Sequence, residues 1–371
     1  MRQSSPSHIA IYLHTIFNGG IEKVMFVLAD AMTKRQIKVD IVVNFIGFSP
    51  LVSEIPEGVN LIDLGCTSFF QRLPALMQYI RANQPDCILV AGHFANEIAL
   101  LAKIFSKVPA RVVLSEHTNL STELRSLSAT SLRRIAIPIV DRLLYRVADG
   151  IIAVSDGVRL DSEKFLGIER GKCQTIYNPI DTTRILRAGE EPLDHPWFNS
   201  DAPPMILTAG RLEKQKDLLN LIEAFVQVRK QTDAHLMILG EGSERKVLEA
   251  RVRECGLDQF VLMPGFAKNP YPYFRRAAVF ALSSEWEGLP TVLIEALSFG
   301  LPIVATDCPS GPSEILGSGK YGIMVPTKCP NSLAEGIMRV LKGNWKMPCQ
   351  DALIPYTTDH VLDKYLRVLT P

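Results

Sequence analysis

The amino-acid sequence predicts an α/β fold of two doubly wound, Rossmann-like domains that face each other across a cleft. Three observations lead to this expectation. The chain has 371 residues, more than one hydrophobic core usually organises and enough for two or three domains. Short β-branched runs alternate with segments of helical periodicity almost from end to end, which is typical of parallel sheets with crossover helices. A stretch rich in Pro and Gly, residues 178–204, separates two such series.

The elements follow from this alternation in chain order. In the first series we predict helices over 21–35, 68–83 and 96–106, and strands at HIAIYLH, VDIVVNF, VNLIDL, DCILVA, RVVLS, GIIAVS and CQTIY. In the second series we predict helices over 218–230, 244–255 and 290–299, and strands at MILTAG, AHLMILG, FVLMPG, AVFALS and PIVAT. A last amphipathic helix is predicted over 360–369.

The expected domain division follows from these elements. It comprises an N-terminal domain over 1–182, a linker over 183–203, a C-terminal domain over 204–356, and a C-terminal helix over 357–371 that packs back on the N-terminal domain. Doubly wound sheets bind ligands at the carboxyl ends of their strands, so we expect the site in the cleft between the domains.

Composition excludes several classes of protein. Lys and Arg number 40 against 39 Asp and Glu, so the chain lacks the basic excess of a general nucleic-acid binder. Seven scattered Cys without a CxxC pair indicate neither a disulfide framework nor a zinc site, and favour a reducing cytoplasm. We find no signal peptide and no apolar run of about 18 residues, so membrane contact is expected to be peripheral.

The most informative segment is EGLPTVLIE, in which Glu287 and Glu295 flank seven residues. The amides of Gly288, Leu289 and Thr291 lie between the two carboxylates at a predicted helix start, where they could bind a hydroxylated or anionic ligand. Alternatively, Glu287 complements the helix dipole and Glu295 belongs to a solvated polar face. The two carboxylates taken together with the Gly-Leu-Pro segment favour a binding site.

The segment AGRLEKQKD directly follows a predicted strand. Arg211 offers a planar set of donors and Lys216 a compact charge, a combination suited to a diphosphate. The alternative is a solvated basic loop, because most charged runs are solvated.

Two further loops in the first series could contribute. Gly19 and Gly20 open a helix after the first strand and would allow close approach of a phosphate or sugar, although they also suit a plain tight turn and do not form a GxGxxG fingerprint. His93 and His117 each follow a strand and could act as hydroxyl partners or proton relays, or be structural. Glu116 could orient His117 or simply end its strand.

A basic amphipathic stretch spans 125–146. It combines apolar residues with only one acid, Asp141, and with Arg125, Arg133, Arg134, Arg142 and Arg146. Such a stretch could lie on an anionic membrane surface, or could be a buried helix with one wet face.

Taken in order, GG-IEKV, SEHTN, AGRL-KQKD, LGEGSER, PGF, EGLPTVLIEA and GLPIVATD resemble the retaining GT-B glycosyltransferases of the large family four, over nearly the whole chain. EGLPTVLIE is the most specific of these motifs. The resemblance implies a nucleotide-diphosphate sugar as donor, a UDP-sugar being expected, and transfer with retention and without a metal. It implies a glycan or lipid-linked acceptor, no nucleic acid, and a cytoplasmic location that extends to the inner face of the membrane.

The resemblance also implies roles for individual positions. Arg211 and Lys216 would bind the diphosphate, Glu287 the transferred sugar, and Glu295 the ribose hydroxyls. Gly19, Gly20 and His117 would approach the donor from the acceptor-side domain, with His117 near the hydroxyl edge of the sugar. The remaining implied donor-binding positions are Glu241, Gly242, Phe266, Gly288, Leu289 and Thr291.

Family members often have Asp after the His of the acceptor-side loop, whereas this sequence has EHTN. No evident nucleophile stands in the motifs opposite the departing diphosphate, which favours front-face transfer over a covalent intermediate. Cell-surface polysaccharide, lipopolysaccharide or lipid-linked glycan synthesis is the expected setting. The alternatives are a nucleotide-sugar isomerase or epimerase on the same fold, and a non-catalytic sugar-nucleotide-binding subunit.

Overall fold

The structure, a computed structural model, describes residues 6–16, 19–47, 49–126, 132–199, 201–345 and 350–370. The chain forms two compact units. The first unit comprises Met1–Ile180 together with Pro355–Pro371, and the second comprises Asp181–Ile354.

The first unit contains a parallel sheet in the order β3-β2-β1-β4-β5-β6-β7. Its strands are β1 (His8–Thr15), β2 (Lys38–Phe45), β3 (Val59–Asp63), β4 (Cys87–Ala91), β5 (Arg111–Glu116), β6 (Gly150–Ala153) and β7 (Cys173–Thr175). Its helices are α1 (Gly20–Lys34), α2 (Phe69–Asn83), α3 (His93–Ser106), α4 (Leu120–Ser126), α5 (Leu132–Leu144), α6 (Asp156–Leu166) and α14 (Thr358–Leu369). The central strands are almost wholly buried, because helices cover both faces of a parallel sheet.

The second unit repeats this design with the strand order β10-β9-β8-β11-β12-β13. Its strands are β8 (Met205–Ala209), β9 (His235–Leu239), β10 (Val261–Gly265), β11 (Val279–Leu282), β12 (Ile303–Thr306) and β13 (Ile323–Val325). Its helices are α7 (Thr182–Ala188), α8 (Leu218–Arg229), α9 (Arg245–Glu254), α10 (Tyr271–Arg276), α11 (Thr291–Ser298), α12 (Pro312–Ile315) and α13 (Pro330–Leu341). All pairings in both sheets are parallel.

The C-terminal helix α14 belongs to the core of the first unit. Its buried face, Val361, Leu362, Tyr365 and Leu369, shares one hydrophobic cluster with residues of β1 and α1. The chain leaves and re-enters this unit at one point, where the Ile180 amide donates to the Tyr356 carbonyl at 2.8 Å.

The stretch 183–203 differs from the linker that the sequence suggests. It lies inside the second unit, where Asp181 caps α7 by accepting from the Arg184 amide at 2.9 Å and α7 packs on α10 and α11. Trp197 stacks on His235 with ring centroids 4.0 Å apart. The Pro and Gly residues here interrupt periodicity without preventing a short helix and an aromatic contact from fixing the segment.

The twelve predicted strands are present, with ends shifted by a few residues. Strand β13 was not predicted, because its three residues are too few to show periodicity. Helix α11 begins at Thr291 with Pro290 as its N-cap, one residue later than predicted. None of the helices in the described ranges combines the length and apolar composition that a bilayer crossing needs.

Candidate active site

The candidate site of the second unit is built on three loops that follow β8, β9 and β10. Backbone hydrogen bonds join them side by side: Gly210 N–H donates to Leu239 O at 3.0 Å, and Gly240 N–H donates to Gly265 O at 2.9 Å. Parallel strands end at the same edge of the sheet, so the loops that carry the predicted motifs lie together at its carboxyl edge.

Glycine is required where these loops touch. A Cβ on Gly240 would lie 1.9 Å from the Gly210 carbonyl oxygen, and a Cβ on Gly242 would lie 2.3 Å from the Leu212 carbonyl oxygen. Real Cβ atoms do not approach backbone so closely, so any larger residue would separate the loops. Gly242 therefore has a packing function in addition to the donor contact that the resemblance implies.

Lys216 and Glu287 form the centre of the site. Lys216 Nζ lies 2.6 Å from Glu287 Oε1, and the two side chains are only 16% and 7% exposed. Lys216 ends a 3₁₀ turn after β8, and Glu287 lies in the segment between β11 and α11. Two residues predicted from separate motifs are thus in direct contact.

Two neighbours that the sequence analysis missed hold Glu287 in place. The Ser284 hydroxyl donates to Glu287 Oε1 at 2.6 Å, and the Gln215 amide donates to Glu287 Oε2 at 3.4 Å. Gln215 also donates to the Trp286 carbonyl at 2.8 Å. The sequence offers one signal for these two residues: Gln215 directly precedes Lys216, and Ser284 precedes Glu287 by three positions. These hydrogen bonds supply partners for the carboxylate oxygens of Glu287, which a buried ion pair needs to offset the cost of removing its charges from water.

Arg211 is exposed on the loop after β8. It lines a concavity at the carboxyl ends of β8 and β11 together with Gly210, Lys216, Ser283 and Ser284. The structure thus brings the two predicted cations to one concavity, in which Lys216 is mostly buried and Arg211 is exposed to solvent.

The Gly288-Leu289-Pro290 segment is buried and packs against the loop that follows β12. Glu287 N–H donates to the Pro309 carbonyl at 3.0 Å. At Gly311, where φ is +93°, a Cβ would lie 2.9 Å from Gly288 O. Only glycine suits both that backbone angle and that contact, so the loop after β12 fixes the start of α11.

Helix α11 carries a narrow polar stripe. Thr291, Glu295 and Ser298 are half-buried, while Leu293, Ile294, Ala296 and Leu297 are buried. The Tyr271 hydroxyl donates to Glu295 Oε1 at 3.4 Å. Backbone amides at the start of a helix suit an anionic or hydroxylated ligand. In the first turn of α11, Leu293 N–H donates to the Pro290 carbonyl at 3.0 Å.

Glu241 and Phe266 lie at the same edge of the sheet. The Arg245 guanidinium donates to Glu241 Oε1 at 2.6 Å, and Gly265, with φ at +94°, would place a Cβ 2.8 Å from that oxygen. Phe266 follows β10 and is 42% exposed. An exposed aromatic ring beside a polar loop is a suitable surface for a planar base.

In the first unit, His117 is buried after β5. Its Nε2 lies 3.0 Å from Ser115 Oγ. Burial lowers the pKa of His117 to about 4, so its imidazole is neutral at pH 7.

Glu116 does not orient His117. Its carboxylate accepts from the Tyr145 hydroxyl at 2.6 Å and from the Asn96 amide at 2.7 Å. Neighbouring residues of a strand point to opposite faces of the sheet, so Ser115, not Glu116, accompanies His117. Burial raises the pKa of Glu116 to about 7.

The remaining first-unit candidates lie at helix starts. Gly20 begins α1 and Gly19 is its N-cap, where a Cβ would lie 2.6 Å from Glu22 Oε2. His93 begins α3, and its side chain lies outside the described part of the structure, as do those of Arg133 and Arg134. No cluster of three or more His, Cys, Asp or Glu within the described ranges is arranged to hold a metal ion.

The two Rossmann-like units, with a cationic site at the carboxyl edge of the second, are the GT-B fold of glycosyltransferases. The family model of glycosyl transferases group 1 matches residues 191–358, and that of glycosyltransferase family 4 matches residues 18–184. The chain belongs to this glycosyltransferase family and is a glycosyltransferase.

Relatives support this assignment. The chain is 30% identical over 347 residues to the N-acetylgalactosamine-N,N'-diacetylbacillosaminyl-diphospho-undecaprenol 4-alpha-N-acetylgalactosaminyltransferase of Campylobacter jejuni, covering 91% of this chain and 90% of that protein. It is 28% identical over 222 residues to the lipopolysaccharide 1,6-galactosyltransferase of Salmonella typhimurium, covering 58% of each.

A solved structure with the same fold is that of HepE from Anabaena in complex with UDP and glucose. It superposes with a TM-score of 0.79 at 18% identity, covering 98% of this chain and 99% of that one.

Proposed function

We propose that the protein transfers a sugar from a nucleotide-diphosphate sugar to a hydroxyl of a lipid-linked glycan, with retention of configuration. The observation that carries the proposal is the Lys216–Glu287 pair beside Arg211 at the carboxyl edge of the second sheet. The setting proposed is the synthesis of cell-surface polysaccharide, lipopolysaccharide or another lipid-linked glycan, because the relatives' names describe such acceptors.

The cations would act on the leaving group. Negative charge grows on the diphosphate as the bond from the sugar C1 to the phosphate oxygen breaks, and prearranged cations stabilise that charge most in the transition state. Lys216 is already fixed by Glu287, so little reorganisation would be needed, while Arg211 would fold over the bound diphosphate. We propose that this pair makes transfer independent of a metal.

Glu287 would hold the sugar and not attack it. Its carboxylate accepts hydrogen bonds from Ser284 and Gln215 in addition to the ion pair with Lys216, which makes it a weak nucleophile. In the proposed front-face transfer, the acceptor oxygen forms the new bond to C1 on the face that the diphosphate leaves. The acceptor proton passes to the departing phosphate oxygen.

The first donor to test is UDP-N-acetylgalactosamine. The Campylobacter relative is named as an N-acetylgalactosaminyltransferase, and the HepE structure contains UDP. In this proposal Phe266 and Glu241 contact the base and phosphates, Glu295 the ribose, and the amides of Gly288, Leu289 and Thr291 the sugar. Gly19 and Gly20 would approach the phosphates.

We also propose peripheral contact with an anionic membrane through the outer face of α5. Ile139, Val140 and Leu143 are 59%, 43% and 62% exposed there, and exposed Arg142 and Arg146 lie beside them. Because these apolar side chains are exposed, the described part of α5 favours contact with a lipid surface over the alternative of a buried helix with one wet face. Apolar and basic residues on one helix face suit the boundary between lipid tails and anionic headgroups.

The experiment is a thermal-shift panel followed by a transfer assay. A ligand at one hundred times its Kd stabilises the folded state by about 2.7 kcal/mol, so the correct nucleotide sugar should raise the Tm by several degrees. We expect UDP-N-acetylgalactosamine to do so equally with EDTA and with Mg²⁺, and to label an undecaprenyl-diphosphate-linked acceptor with an α linkage. GDP-mannose is the matched control. Absence of a shift with every nucleotide sugar would overturn the donor proposal, and a strict Mg²⁺ requirement would overturn metal independence.

A further inference from the structure

A chain of three buried polar groups ends at His117. Tyr365 OH lies 3.3 Å from Ser115 Oγ, which in turn lies 3.0 Å from His117 Nε2. Ser115 and Tyr365 are fully buried, and His117 retains 9% exposure. Tyr365 comes from α14, 250 residues after Ser115 in the sequence. All three residues belong to the first unit.

The direction of the first hydrogen bond follows from the phenol. A buried hydroxyl whose proton has no acceptor costs about 1–3 kcal/mol, and Ser115 Oγ is the hydrogen-bond partner that the described structure provides for Tyr365. Burial raises the pKa of Tyr365 to about 12, so the phenol keeps its proton at pH 7. Tyr365 therefore donates and Ser115 accepts.

The direction of the second bond follows from the first. Ser115 has one hydroxyl proton and is itself fully buried, and His117 Nε2 is the acceptor that the described structure offers that proton once Tyr365 donates to Ser115, so Ser115 donates to His117 Nε2. Nε2 must then be the unprotonated nitrogen of the imidazole. Because this imidazole is neutral at pH 7, its single proton lies on Nδ1.

We propose that Tyr365 and Ser115 are positioning residues that fix His117 in the Nδ1–H tautomer, so that His117 offers the reaction a hydrogen-bond donor and not a general base. The role of His117 as a hydrogen-bond donor in the reaction rests on the proposed function. Within it, Nδ1–H would donate to a hydroxyl or phosphate oxygen of the donor. The acceptor proton would then go to the departing phosphate, as front-face transfer requires.

The direct test is ¹⁵N NMR of the histidine side chains in the full-length protein at pH 7. We expect His117, assigned by loss of its signals in His117→Gln, to show a protonated Nδ1 and an unprotonated Nε2. Tyr365→Phe and Ser115→Ala should both give a mixture of tautomers. A wild-type His117 in the Nε2–H form would overturn the inference.

Steady-state kinetics test the proposed role of His117 in the reaction. We expect Tyr365→Phe and Ser115→Ala to lower kcat about tenfold with little change in the donor KM, since the donor bond gains strength in the transition state. Ser115→Thr, which keeps the hydroxyl, should restore most of kcat. Tyr79→Phe is the matched control, because it removes another buried phenol hydrogen bond, to Asp40, and should leave both kcat and the His117 tautomer unchanged.

The outcomes separate the inference from the proposed function. If Ser115→Ala shows a mixture of tautomers at His117 but an unchanged kcat, the positioning role is wrong. The proposed function would still stand in that case, provided that nucleotide sugars still raise the Tm. Absence of that thermal shift would overturn the proposed donor even where NMR finds the Nδ1–H tautomer.

Discussion

In the proposed function, Lys216 and Glu287 are the residues on which the chemistry depends most. Their pair is nearly buried, so each charge is compensated mainly by the other and by Ser284 and Gln215. In water such a pair would be weak, whereas removal of one partner from a buried pair commonly costs about 3–5 kcal/mol. We therefore expect substitution of either residue to affect both catalysis and folding, so each variant requires a measurement of activity and a measurement of stability.

Lys216→Ala should lower kcat by roughly 10²–10³ and weaken donor binding much less, because its charge matches the departing diphosphate better than the bound substrate. Steady-state kinetics with donor titration measures the two effects separately. Lys214→Ala is the control, since Lys214 is exposed on the same turn. Equal losses in kcat and in donor affinity would contradict this role for Lys216, provided that circular dichroism shows a folded variant.

Sequence spacing predicted the motif residues that meet in the candidate site but not the residues that hold them in place. Arg211, Lys216, Glu287 and Glu295 stand out because strand ends and a helix start place them at one sheet edge. Tyr365 and Ser115 are separated by 250 residues on elements whose contact is set by tertiary packing. No local pattern in the sequence contains that contact.

At the scale of elements, α5 tests whether an exposed apolar face has a function. The double substitution Ile139→Glu and Leu143→Glu should reduce sedimentation with vesicles containing phosphatidylglycerol by roughly tenfold or more, because it places charge where apolar side chains would be buried in lipid. Val247→Glu, at an exposed apolar position on α9 in the second unit, is the matched control. Sedimentation of the double variant at the wild-type level would rule out this membrane contact.

The elements that the sequence predicted well are those with strong periodicity. Central strands buried on both faces and helices α1, α2, α3, α8 and α9 matched closely, because burial imposes the pattern. Helices α6 and α13 were not predicted, although they have 11 and 12 residues. Helix α7 and strand β13 were missed because seven and three residues carry little periodicity. Their positions depend on contacts such as those of α7 with α10 and α11.

For the whole molecule, the important feature is that the second unit is inserted between two parts of the first. Leu362→Ala should destabilise the first unit by about 2–5 kcal/mol, because Leu362 is fully buried in its core. Trp197, Trp286 and Trp345, the three tryptophans of the chain, all lie in the second unit, so tryptophan fluorescence reports on that unit alone.

We expect Leu362→Ala to lower the urea midpoint of part of the far-UV circular dichroism change and to leave the fluorescence midpoint in place. Leu366→Ala, at a half-buried position of the same helix, should have a smaller effect. A fluorescence transition that moves together with circular dichroism would show that the two units unfold as one.

The return of α14 to the first sheet also affects how the protein is made. When residue 180 leaves the ribosome, the β-sheet of the first unit still lacks the apolar surface of α14. At about 5–20 residues per second, synthesis of the inserted unit takes roughly 10–40 s. During that interval the core of the first unit lacks the apolar face of α14, so we expect chaperones that bind at the ribosomal exit to engage the nascent chain.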